Sequence, residues 1–316
     1  MVWIFIYGIA IVLSFVSESA ANRCFDVISA DLSNRHNSDY GKQRMWSILG
    51  TAVGPSLAGL ILEKNASEES DKNYFPIFVC AAIFTILSIV PIWNINSEFH
   101  KPASNLCKKS LELMKKYEIS LFFLLLLVAG ISFNFQILYG NWYLQNLGAS
   151  DLLIGISKGI ANLCGLPFLY ASEWLFDQTG VRSFFVLSLF CYVFYSFAFS
   201  LMREPWLAMG FELANVFAFV LFWPAVMRYC KEIAPLEMQA TIKGIAGVLH
   251  FSIARIGVFM IGSYVMDNYG GRMAYQVTGY ICFGYAAIYG ADLIIQHLHK
   301  EKTGLRSNRD KRETTV

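Results

Sequence analysis

The sequence predicts an all-α polytopic membrane protein, a helical bundle of nine transmembrane helices grouped as three and six. Three observations point there. Of the 316 residues, 56% are apolar and only 15% charged, with a mean hydropathy of +0.47, where a soluble domain carries about 25% charge. The charges gather in short islands, and the apolar runs between them reach about 20 residues, enough helix to cross ~30 Å of hydrocarbon. These runs are continuous rather than alternating, which selects helices over a barrel, and a spanning helix satisfies its own backbone. The basic residues also have a sidedness. With the C-terminus cytosolic, the outer loops hold only Lys64, Lys72, Arg203 and Arg272, and Arg23, Lys158 and Arg255 fall inside spans. The other 18 of the 25 Lys and Arg lie in inner segments, the bias that fixes orientation in membrane proteins.

The first span, residues 2–30, carries Glu18, Asn22 and Asp26 at i, i+4 and i+8, one polar stripe along the helix. Arg23, three residues before Asp26, can pair with it. A signal peptide is the other reading of this run, but no basic residues precede its apolar stretch. The stripe suits the wall of a water-filled cavity that binds a polar solute or relays a proton. It also suits groups solvated near the cytosolic interface. The second span, 43–62, contains a GxxxG at Gly50 and Gly54, read as a helix-packing face. The outer loop 63–73 holds the sequon Asn65-Ala66-Ser67, a glycosylation acceptor where it faces outward. After the third span, 74–93, comes the longest inner segment, 94–118, with five lysines.

Six further spans follow at 119–140, 150–172, 182–201, 205–228, 240–266 and 273–297. Lys158 and Glu212 stand at matched depths with opposite sign. As a pair they either gate an outer cavity or neutralise each other. Trp223-Pro224 marks a kink in the seventh span, because proline removes a backbone donor. In the eighth, Gly244, Gly247, Gly257 and Gly262 read as close-packing positions. Arg255 sits near mid-membrane. Its fork either holds an anionic group bidentately or makes a structural ion pair, with Glu18 as one partner. His250, a turn nearer the cytosol, reads as a hydrogen-bonded packing residue before a titrating one. The domains follow: a three-span partial N-terminal half (1–93), a cytosolic linker (94–118), a six-helix C-terminal half (119–297) and a basic cytosolic tail (298–316).

Several function classes drop out. No GxSxG, phosphate-binding glycine loop or metal-ligand spacing is present, so neither an enzyme nor a cofactor or metal site is expected. The seven cysteines include no CxxC, and no disulfide framework is expected. The basic residues lie where topology requires them, which implies no nucleic-acid partner.

Three stretches carry a family resemblance. Tyr40-Gly41-Lys42-Gln43-Arg44-Met45-Trp46, with the small-residue run Gly50 to Gly59, resembles the inner loop and fifth helix of major facilitator superfamily domain-containing protein 6 and its relatives. Ala234 to Thr241, leading through the eighth-span glycines to Asp267-Asn268-Tyr269-Gly270-Gly271-Arg272, is similar to that family's eleventh helix and the turn after it. Asp177, Gly180 and Arg182 resemble the superfamily loop that ties helix ends together, although Glu173 stands in place of its leading glycine and Gln178 and Val181 replace basic residues. The resemblance covers residues 1–297. It implies a major-facilitator-like twelve-helix bundle of which this chain, N-terminally truncated, supplies helices four to twelve. It implies a secondary transporter that moves a small polar or anionic solute by alternating access, driven by a gradient such as that of protons. The pathway residues expected from the charge reading are Arg255, Glu18, Asn22, Asp26, Arg23, Lys158, Glu212 and His250. The family also allows a non-transporting receptor, since a vertebrate relative is described as a receptor homologue for class I histocompatibility molecules, and an inactive fragment is a third reading. The partners expected are a solute and the lipid bilayer, and the location expected is the plasma membrane.

Overall fold

A computed structural model describes residues 2–65, 75–93 and 112–313. The side chains of Glu18, Arg23 and Asn65, the rest of the sequon and most of the linker lie outside the described residues. Helices α1 (Val2–Arg35), α2 (Tyr40–Asn65) and α3 (Phe75–Trp93) come first. Then follow α4 (Tyr117–Asn146), α5 (Asp151–Tyr170), the short α6 (Ser172–Thr179) and α7 (Val181–Leu201). The described residues contain no strand. Among the described residues six stretches are long and apolar enough to cross a membrane: Tyr40–Leu62, Tyr117–Asn146, Asp151–Tyr170, Val181–Leu201, Pro205–Ile233 and Leu236–Gln296. The last, at 61 residues, would be about 90 Å of straight helix, three times the hydrocarbon thickness. It is broken at Gly270, whose φ of 77° and ψ of 167° suit a residue without Cβ. The break yields α9 (residues 236–269) and α10 (residues 271–313).

The segment Pro205–Ile233, α8, is irregular for a local reason. Pro224 has no N–H to give the carbonyl four residues back. Just ahead of it the ladder widens into a π turn at Val216–Val220, closed by Leu221 N–H donating to Val216 O at 3.0 Å. The kink expected at Trp223-Pro224 therefore takes the form of an upstream π turn followed by regular helix from Phe222. Two more π turns, Val248–Ile253 and Val258–Gly262, flank Arg255 in α9. Such bulges re-aim side chains and recur at functional sites.

Helices α2 and α5 run antiparallel in close contact along their length. A Cβ on Gly155 would lie 2.6 Å from the carbonyl oxygen of Pro55, one on Gly159 2.8 Å from that of Ala52, and one on Gly59 2.9 Å from that of Asp151. Gly130 likewise brings α4 against the backbone of His250 in α9. The glycines expected to pack differ from those that do. Added Cβ atoms at Gly50, Gly54, Gly244 and Gly257 meet no described atom within 4 Å, and of the eighth-span set Gly262 does pack, 3.0 Å from Tyr139. The reason is rotational: GxxxG spacing defines a face, and the α2 face turned to α5 is the one bearing Ala52, Pro55, Ser56 and Gly59.

Aromatic residues fill the rest of the interior in two clusters. Phe122, Phe185, Phe222 and Tyr229 pack toward one end, and Phe135, Tyr143, Tyr195, Phe199 and Tyr275 toward the other. Large apolar side chains such as Phe190, Phe194, Phe259 and Met260 point outward, as lipid-facing positions do.

Filling the α2–α5 seam should be expensive and filling the GxxxG should not. Gly155→Leu is expected to lose about 1–3 kcal/mol by overpacking, whereas Gly50→Ala should stay within about 0.5 kcal/mol of the parent. Thermal midpoints in detergent, read by fluorescence-detected size exclusion, compare the two, and equal midpoints would remove the seam as a structural element.

Candidate functional site

A cavity of ≈ 890 Å³ lies between α1 and α2 on one side and α4, α5, α8 and α9 on the other. Its wall carries Asn22, Asp26, Arg44, Lys158 and Glu212, together with amides and four phenylalanines. A second cavity, ≈ 560 Å³, is lined by Tyr40, Glu173, Pro224, Arg228 and Lys243 among others.

Between the two stands Asp26. Its Oδ1 accepts from Tyr40 OH at 3.0 Å and from an Arg44 guanidinium N–H at 2.9 Å, and its Oδ2 accepts from Trp223 Nε1 at 3.1 Å. Arg44 also donates to Tyr40 OH at 3.1 Å. Three helices, α1, α2 and α8, thus meet on one carboxylate. Arg44 is only 12% exposed. As one of the basic residues on the inner side it fits the orientation bias, and it is also the ion-pair partner of Asp26 from the neighbouring helix. An apolar surrounding demands such pairing, because an unpaired buried carboxylate would lose its hydration without return.

Glu212 forms the second centre. It is 1% exposed. Lys158 Nζ donates to its Oε1 at 2.5 Å, Tyr195 OH donates to the same oxygen at 3.0 Å, and Asn215 Nδ2 donates to Oε2. The equal depth and opposite sign of Lys158 and Glu212 do correspond to contact. Tyr195 and Asn215 complete the carboxylate's hydrogen bonds, as a buried ion pair requires.

Arg255 meets an amide. Its Nε donates to Asn134 Oδ1 at 2.9 Å, and Asn134 Nδ2 donates to the carbonyls of Gly130 at 2.8 Å and His250 at 2.9 Å. The arrangement locks α4 to α9, and Arg255 is not among the described residues lining the larger cavity. His250 is buried, with Nδ1 3.0 Å from the carbonyl of Leu126. A carbonyl only accepts, so Nδ1 carries the proton. The ring packs among Phe133, Phe222, Trp223 and Phe251.

The loop residues reach different helices. Gly180 turns the chain from α6 to α7 at φ 74°. Asp177 accepts from Arg228 at 2.5 Å, and Glu173 accepts from the same guanidinium at 2.6 Å. Arg182 donates to Gln296 Oε1 at 2.8 Å and lies 3.5 Å from Glu118 and 3.6 Å from Asp292. Helix ends are tied, α6 to α8 through Asp177 and α7 to α10 and α4 through Arg182. Glu173, at the position where the loop pattern departs from the resembled one, supplies a second carboxylate to Arg228. Burial raises its carboxyl above the ordinary range, and Arg228 opposes that rise.

Sequence reasoning missed Tyr40, Arg44 and Trp223 as site residues. Their signal was present only as part of a resembling stretch and, for Trp223, as a kink marker. Asn134, Asn215 and Gln136 were missed because amides in apolar helices carry no charge to flag them.

Comparison with known proteins bears on this arrangement. The profile of the MFS_1 like family matches residues 1–277. The chain is 23% identical over 284 residues to "Uncharacterized transporter YwbF" of Bacillus subtilis (strain 168), an alignment covering 88% of this chain and 67% of the bacterial protein. The matched region runs from α1 into α10 and takes in both cavities, and on that match the chain belongs to the MFS_1 like family of major facilitator membrane proteins.

Proposed function

We propose that this chain is a secondary transporter that moves a small polar solute across a membrane by alternating access. The observation that carries the reading is a wall-to-wall one. A cavity of ≈ 890 Å³ is bounded by two groups of helices, and a bond between those groups, Trp223 to Asp26, separates it from a second cavity beyond. The family match and the description of the bacterial relative as a transporter support transport as the role. In this reading the helices cross nine times, three and then six, within a chain akin to major facilitator superfamily domain-containing protein 6 and its relatives. The C-terminus is cytosolic, the location is the plasma membrane and Asn65 is glycosylated outside. The larger cavity faces outward, and the Asp26 cluster is its inner gate.

The chemistry of gating follows from the donors. Tyr40 and Arg44 sit on α2 and travel with it, whereas Trp223 sits on α8. Opening toward the second cavity breaks the Trp223 bond and leaves Asp26 neutralised by Arg44. At the other centre, Lys158 on α5 and Glu212 on α8 rearrange only if their helices part. Glu212 and Asp26 are the carboxylates through which a proton gradient would couple.

Trp223→Phe removes the donor and keeps an aromatic ring, and Asp26→Asn turns an acceptor oxygen into a donor facing other donors. Each should weaken the closed gate by about 1.5 kcal/mol, the low end for a hydrogen bond to a charged group. Alkylation of a cysteine placed at Ser33, buried on the second cavity, should then quicken about tenfold. Unchanged labelling in both variants would deny the gate.

Lys158→Ala should strand the Glu212 charge and cost about 3–5 kcal/mol, seen as lost abundance in the membrane. The double variant Lys158→Met with Glu212→Gln should regain abundance. If it also regains full solute uptake in vesicles, the pair is structural only and leaves the transport path.

Orientation is tested by accessibility tags. One placed after Val316 should be reached only from the cytosol, and one between Lys64 and Lys72 only from outside. A C-terminal tag exposed on intact cells would invert every assignment of inner and outer above.

A further inference from the structure

The amides on the cavity wall carry more information than its charges. Among the described lining residues the charged side chains are Asp26, Arg44, Asp151, Lys158 and Glu212. Both cations are already held, Arg44 by Asp26 and Lys158 by Glu212. The carboxylates are held too, and Gln145 Nε2 donates to Asp151 at 3.3 Å. To bind an anionic solute through Lys158, the site would have to leave the buried Glu212 without its cation, the costly half of a broken pair. Arg255, expected to grip an anionic solute, donates its Nε to Asn134 and is not among the described residues lining this cavity.

Three polar atoms on the same wall have no hydrogen-bond partner among the described residues: Nε of Arg44, on the guanidinium whose charge Asp26 neutralises, Nε2 of Gln136 and Oδ1 of Asn215. Gln136 is 5% exposed. The orientation of Asn215 is not free. Its other amide atom faces Glu212, which as a carboxylate only accepts, so nitrogen must point there and oxygen is left over. A buried polar atom without a partner costs free energy that a matching ligand returns. Beside these atoms lies an aromatic floor. Phe133 is one turn from Gln136 on α4, and Phe219 one turn from Asn215 on α8. The two rings stack with centroids 4.1 Å apart, and Phe251 stands edge-on to Phe133 at 5.5 Å. All three line the cavity and are half-buried.

We infer that this cavity takes an uncharged, ring-bearing polar solute. The solute accepts a hydrogen bond from Gln136, donates one to Asn215 and lays a ring face on Phe133, Phe219 and Phe251. Sugars and nucleosides share that chemistry, with the flat base or the apolar face of the pyranose covering the phenylalanines, whereas carboxylates, phosphates and quaternary amines lack it. The inference deepens the transporter reading and rests on it for the solute's movement but not for its binding.

The test is ligand-induced thermal stabilisation of the full chain in detergent with five probes: uridine, glucose, benzoate, inorganic phosphate and choline. Uridine or glucose should raise the thermal midpoint in a saturable way, and their relative effect distinguishes the two sources of the ring. Benzoate, phosphate and choline should not. Gln136→Leu, provided its ligand-free midpoint equals the parent's, should weaken the neutral ligand about tenfold, equal to about 1.4 kcal/mol. Stabilisation by a charged probe alone, or by none of the five, overturns the inference, and the wild-type panel decides this even if the variant fails to fold. Binding of a neutral ring without its uptake by vesicles would sink the transporter reading and leave this one standing, whereas uptake of benzoate or phosphate alone would do the reverse.

Discussion

A carboxylate inside an apolar bundle must find hydrogen-bond donors or give up its charge, and Asp26 finds them on α2 and α8 as well as keeping its own helix in place. Satisfying that charge and placing α1, α2 and α8 relative to one another are therefore the same event. The smaller cavity begins where this cluster ends, so the division of the interior into two spaces follows from it. The α2–α5 seam contributes differently. It is held by backbone surfaces brought together at Gly155, Gly159 and Gly59, with Ser56 Oγ to the Gly155 carbonyl at 3.3 Å a hydrogen bond across it. A seam of that kind fixes distance while placing little directional demand on sliding.

The helices were legible because a long apolar run has one way to satisfy its backbone in lipid. Residues 182–201 were expected and Val181–Leu201 is found. The first run reaches Arg35 rather than 30, and α4 reaches Asn146 rather than 140, since polar residues at a span's end continue a helix as readily as they end it. Trp223-Pro224 announced an irregularity, but its form as a π turn one step upstream depends on which carbonyl loses its donor and which N–H replaces it. The packing glycines were misassigned because sequence spacing defines a helical face and says nothing of how the helix is rotated. Gly155 and Gly159, with the same four-residue spacing as Gly50 and Gly54, do the packing.

Charges divided along a similar line. Lys158 and Glu212 were readable together, since depth along two spans is arithmetic and opposite charges at one depth attract. Arg44 was not, because a cation near a helix end satisfies the positive-inside bias whether its side chain snorkels to water or turns inward. Arg255 was read for its charge, and one of its hydrogen bonds goes to the neutral oxygen of Asn134. An amide can serve an arginine and two backbone carbonyls at once, a versatility that residue-type reasoning about opposite charges overlooks.

The donor sets at Asp26 and Glu212 have a common design that bears on how such a bundle changes state. Asp26 takes Tyr40 and Arg44 from α2, the next helix in the chain, and Glu212 takes Asn215 from its own helix and Tyr195 from the adjoining α7. Each takes a further donor from another helix: Trp223 of α8, across the larger cavity from α1, in the first case, and Lys158 of α5, which packs against α8 on the same side of that cavity, in the second. Were all donors to come from across the interface, separating the helices would strand a buried charge, and the barrier would be that of breaking a buried ion pair outright, about 3–5 kcal/mol. With the Asp26 arrangement, parting α8 from α1 exchanges a single hydrogen bond to a charged group, about 1.5–3 kcal/mol, and the arginine stays with the carboxylate throughout. The Glu212 centre is the stiffer of the two, because the donor from the neighbouring helix there is the cation itself. Under the proposed alternating access, parting the helices at the Asp26 end therefore costs less than parting them at the Lys158 end, unless a solute in the cavity or a proton on Glu212 takes over what Lys158 supplies.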